Sequence, residues 1–72
     1  MDYRVGDLVR ISDYEAFLYR AIGVIACIYD DCPVPYHVQF KAINEDTNET
    51  FVYEDFYYSE DQLQLYYREG EC

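Results

Sequence analysis

Three cysteines, a single histidine and four pairs of adjacent acids are the residues of this 72-residue chain best suited to chemistry. Cys27, Cys32 and Cys72 make an odd count, which does not fit a disulfide framework. A zinc site would favour paired CxxC units with further Cys or His ligands, and these are missing. Cys27 lies in an apolar run and reads as a small core residue, Cys32 sits beside Pro33 in a turn, and Cys72 ends the sequence. His37 falls on the polar face of a predicted strand, outside any metal-binding or nucleophile-activating spacing. Ser12 and Ser59 lack a nucleophile signature, and the three glycines are isolated, so no phosphate loop forms. The pairs Asp30-Asp31, Glu45-Asp46, Glu54-Asp55 and Glu60-Asp61 offer oxygen ligands, but no DxDxDG loop frames them. The expectation is a protein without catalytic residues, cofactor or metal, and not an enzyme.

Charge carries more information. Fifteen acids face five Lys and Arg, a formal net charge of −10. Residues 1–41 hold six acids and four bases; residues 42–72 hold nine acids, only Arg68 as a base, and seven aromatics. Such a surface repels phosphates, so no direct nucleic-acid binding is expected. It attracts proteins whose own surfaces are basic. An apolar fraction of 51% argues against disorder. Residues 2–4 do not open a secretory signal, and the longest apolar run, 21–29, is too short for a membrane span. A cytoplasmic protein without membrane association is expected, and the sequon Asn48-Glu49-Thr50 is formal only.

The periodicity that must position these residues is that of short strands. Residues 5–11 alternate, 12–20 form a polar-aromatic excursion, and 21–29 make the most apolar strand, with Gly23 as a bend or bulge. After the turn at 30–35, residues 36–41 place Tyr36, Val38 and Phe40 on one face and His37, Gln39 and Lys41 on the other. A turn at 44–48 leads to a strand at 49–53. Ser59 and Gln62 have capping-box spacing for a short 3₁₀ or helical turn, and 63–66 form the last strand. The expected core is Val9, Ile11, Val24, Ile28, Val38, Phe40 and Leu63. The fold class is all-β: one domain over residues 1–72, core 3–66, built as a five-stranded small barrel.

The segments Val5-Gly6-Asp7-Leu8-Val9-Arg10-Ile11, Gly23-Val24-Ile25 leading to Ile28, Pro35-Tyr36-His37-Val38-Gln39-Phe40 and Glu60-Asp61-Gln62-Leu63-Gln64-Leu65 resemble the SH3-like small barrels of KOW and Tudor type. Small bacterial and phage proteins share this layout. The resemblance implies the fold over residues 3–66 and carries little about function, because small barrels host many unrelated activities. The chain has neither the tryptophan of proline-peptide SH3 domains nor the basic face of RNA-binding KOW domains.

So thin a fold cannot bury every aromatic of its second half, and exposed tyrosines among carboxylates make contact anchors. The expected partner-binding residues are Tyr53, Glu54, Asp55, Tyr57, Tyr58, Glu60 and Asp61. Spread carboxylates can stand in for phosphates, which points to a phage or mobile-element inhibitor of nucleic-acid-mimic type, acting on a basic surface as anti-restriction and anti-CRISPR proteins do. The rival expectation is an SH3-like adaptor or assembly subunit that binds a peptide or its own copy, with acidity serving solubility. Monomer and homodimer both fit.

Overall fold

The computed structural model describes residues 3–68. Five antiparallel strands form one sheet: β1 (Leu8–Ile11), β2 (Ile22–Ile28), β3 (Tyr36–Asn44), β4 (Glu49–Tyr58) and β5 (Leu63–Tyr67), with a 3₁₀ turn at Glu60–Gln62 before β5. The hydrogen-bonded order is β4-β3-β2-β1-β5, so β4 and β5 are its two edges and the sheet is not closed. No helix among the described residues is long and apolar enough to cross a membrane.

Each departure from the sequence reading has a local cause. β1 starts at Leu8 because residues 4–7 turn: the Asp7 N–H donates to the Arg4 carbonyl at 3.0 Å, and Gly6 takes a φ of +97°. The 12–20 excursion is a chain of turns, closed by Ala21 N–H to the Leu18 carbonyl at 2.8 Å. β3 and β4 outrun their predicted ends at 41 and 53, because the chain stays extended and the two strands pair from Tyr36↔Tyr58 to Asn44↔Glu49. The Ser59–Gln62 turn forms as expected, with the Ser59 N–H donating to Gln62 Oε1 at 3.0 Å.

Val9, Ile11, Val38, Phe40 and Leu63 are buried as the alternation predicts, joined by Tyr3, Ile25, Tyr36 and Tyr58. Val24 is a correction. The inward positions of β2 are Gly23 and Ile25, because a side chain at position 23 would meet Val38 Cγ1 at 2.5 Å and the Gln39 carbonyl oxygen at 2.9 Å. The bulge in β2 lies between Ile25 and Cys27 rather than at Gly23. It resets the phase, so Ile28 packs against the core while Cys27 is exposed, contrary to its reading as a core residue. Cys27 and Cys32 are free thiols; Cys72 lies outside the described residues.

One charged group is buried with the core. Asp7 is 3% exposed and takes both arms of the Arg68 guanidinium, Nε to Oδ1 at 3.0 Å and a terminal nitrogen to Oδ2 at 2.8 Å. The Arg4 N–H adds a bond to Oδ2 at 2.9 Å. Arg68 above all holds the Asp7 carboxyl below its ordinary 3.8, against the desolvation that would raise it.

Candidate functional site

β4 is the least covered strand in the molecule: Glu49 to Tyr57 are all exposed and only Tyr58 is buried. Pairing with β3 sorts its side chains. Tyr57 and Asp55 lie opposite His37 and Gln39, on the face turned away from the core. Phe56 and Glu54 lie opposite the buried Val38 and Phe40, on the core side. A register shift between Phe40 and Lys41 leaves Tyr53 as the extra residue of a bulge. Past it, Lys41↔Val52 and Ile43↔Thr50 continue the outer face, while Ala42↔Phe51 continues the inner one. The hairpin thus runs beyond the core as a two-stranded arm with exposed Ile43, Phe51, Val52 and Tyr53.

On the outer face the rings are ordered. His37 stacks on Tyr57 at 4.7 Å and 13°, and its Nε2 lies 3.3 Å from Asp55 Oδ2. The His37 side chain is 16% exposed, so it is enclosed by this cluster rather than solvated as its strand face predicts. Tyr29, from the end of β2, lies 6.0 Å from the Tyr57 ring. Cys27 above all, with Tyr57 adding to it, pushes the Tyr29 phenol above 10.0. On the inner face Phe17 of the 12–20 loop leans on Phe56 at 6.4 Å.

The seven expected contact residues do not share one face. Asp55 and Tyr57 stand together on the outer face, Tyr53 sits at the bulge, and Glu54 points to the inner side. Glu60 and Asp61 are exposed on the 3₁₀ turn, which is bound to residues 12 and 13: the Ser12 N–H donates to the Gln62 carbonyl at 2.9 Å, and Gln62 Nε2 to Asp13 Oδ2 at 2.9 Å. Tyr58 is a correction to the expected exposed set. It is 5% exposed, lies edge-on to Phe40 at 6.3 Å, and its phenol is pushed above 10.0 by burial. His37 and Tyr29 complete the outer face and Phe56 stands on the inner one. None was among the expected contact residues, although the even spacing of Tyr36, Val38 and Phe40 already set His37 on the outer face.

The arm and its turn carry Glu45, Asp46, Glu49, Glu54 and Asp55 against Lys41. As the edge of the sheet, β4 also presents backbone N–H and C=O groups that β3 does not use. Among the described residues no three His, Cys, Asp or Glu side chains are grouped to hold a metal ion. No family model matches this chain, and the search of curated proteins finds no match either.

Proposed function

We propose that the protein is a non-enzymatic binding module whose acidic, aromatic β3–β4 arm occupies a basic nucleic-acid-binding surface of a partner protein. The observation that carries this reading is the run of nine exposed residues in β4, with apolar and acidic side chains interleaved on both faces. A solubility role accounts for the acids. It does not account for Phe51, Val52, Tyr53, Phe56 and Tyr57 standing in water beside them, since a cluster of exposed aromatics marks a contact surface. The acids would steer approach and Tyr57, backed by the His37 ring, would supply contact area. An inhibitor of phage or mobile-element type that mimics nucleic acid fits this division of labour.

The open β4 edge favours a second reading, an adaptor that adds a partner strand to the sheet. The strand order and the 3₁₀ turn also support an SH3-like small barrel as the parent architecture. Cross-strand NOEs between β4 and β5 would support closure; their absence would reduce that to an open sheet.

Capture from host lysate at low and high salt, followed by kinetics with the captured partner, separates the two functional readings. Under charge mimicry Glu49→Lys with Glu54→Lys slows association strongly at low salt and less at 0.15 M, where screening acts over roughly 8 Å. Tyr57→Ala raises the dissociation rate, at a cost of about 2 kcal/mol. Association that ignores both salt and charge reversal would leave strand addition as the function.

A further inference from the structure

The β1–β5 side of the sheet, away from the β4 edge, carries two of the chain's five basic residues close together. Arg10 on β1 lies opposite Gln64 on β5, and its guanidinium sits over the Tyr66 ring, 5.4 Å from the centroid. Arg20 ends the 12–20 loop with its N–H donating to the Ile11 carbonyl at 2.9 Å, which fixes it beside the strand that carries Arg10. Its guanidinium sits over Tyr19 at 5.5 Å. The two arginines line one cleft of about 380 Å³ with Ser12, Tyr19 and Gln64, and no acid lines it. Neither arginine forms a salt bridge among the described residues, in a chain with three acids for every base. Charge neutralisation within the fold would have given the opposite arrangement.

The backbone supplies an independent sign. Arg20 has a φ of +73°, in the left-handed region where an L side chain is strained and glycine is at ease. Strain kept at a charged, solvent-facing position points to a task for that side chain.

We propose that this cleft binds a phosphate group carried by a small molecule. The tyrosine rings lie against the guanidinium groups and leave their N–H edges free, and each fork pairs two phosphate oxygens in parallel. A carboxylate would satisfy one fork; a phosphate, with three oxygens and nearly two charges, serves both. Ser12 and Gln64 add neutral donors at the rim. A long polyanion is disfavoured by the net charge of −10. The site is separate from the β3–β4 arm and stands or falls without it.

The test is an NMR titration of the isotope-labelled protein with inorganic phosphate, pyrophosphate and adenosine monophosphate, against sodium chloride at matched ionic strength. Saturable shifts of the Arg10, Arg20 and Gln64 signals at millimolar ligand or below are expected with the phosphates alone. Arg20→Gly removes the backbone strain, so this variant should melt no lower than wild type, yet bind at least about tenfold more weakly because a charge-assisted fork is lost. Arg10→Gln should weaken binding similarly. Shifts that match the chloride control, or binding that survives Arg20→Gly, would overturn the site. Tighter binding of a phosphotyrosyl peptide than of any of the three probes would overturn the small-molecule assignment.

Discussion

The two halves of β3 carry the same alternation and meet opposite fates. Tyr36, Val38 and Phe40 are buried, whereas Ala42 and Asn44, which continue their face past the bulge, are half-buried and exposed. The first half lies under Tyr3, Val9, Ile11 and Leu63; the second half has only β4 beside it. Alternation therefore sets which way a side chain points, and tertiary context decides whether anything covers it. On the covered half the apolar residues stabilise the fold. On the arm they are available for another purpose.

The largest effect that would break this contrast is at Phe40. Phe40→Ala should cost about 4 kcal/mol in urea unfolding, a loss large enough to unfold a domain of this size. A cost under about 1 kcal/mol would mean that the covered half is no better packed than the arm. Next comes the buried ion pair: Arg68→Ala should cost about 3 kcal/mol at neutral pH, because Asp7 is then left charged without its partner. Its sign with pH is set by the lowered carboxyl. The stabilisation is fully present above the ordinary aspartate value of 3.8 and is lost as pH falls through the lower folded value. The gap between wild type and Arg68→Ala should hence close on acidification below 3.8, and a gap that widens there would contradict the pairing.

A finer test uses two neighbours of identical type. Tyr58→Ala should cost about 3 kcal/mol and Tyr57→Ala under about 1 kcal/mol, since one ring is 5% exposed and the other 51%. Equal costs would show that the outer His37–Tyr57 stack stabilises as much as the core does. The smallest effect is expected on the arm, where Phe51→Ser should change stability by no more than about 0.5 kcal/mol by thermal melting.

Much of the fold was legible in the residues. Five strands, the 12–20 excursion and the Ser59–Gln62 turn all follow from alternation and turn chemistry. The phase of β2 was not, because Ile22-Gly23-Val24-Ile25-Ala26-Cys27-Ile28 is apolar throughout and offers no alternation to read. The bulge that exposes Cys27 leaves no mark in such a run. The length of β4 was hidden because Glu54-Asp55 interrupts the apolar residues that mark the strand, although both stay extended in it. Of the expected surface, Tyr57 and Asp55 were legible as acid-aromatic neighbours. Tyr58 was misassigned because adjacent tyrosines on a strand point to opposite faces, and residue type alone does not say which one turns inward.

The pairing of Asp7 with Arg68, sixty-one positions apart, also shapes the route by which the chain reaches this structure. The β2–β3–β4 meander assembles from sequence neighbours, whereas β1 meets β5 and Asp7 meets Arg68 only after a loop of nearly the whole chain has closed. A contact of such high sequence separation is expected to form in the last stage of folding and to act as a latch on the way out. Arg68→Ala should then speed unfolding by nearly the full equilibrium effect and leave the refolding rate almost unchanged, so the latch sets how long each folded molecule survives.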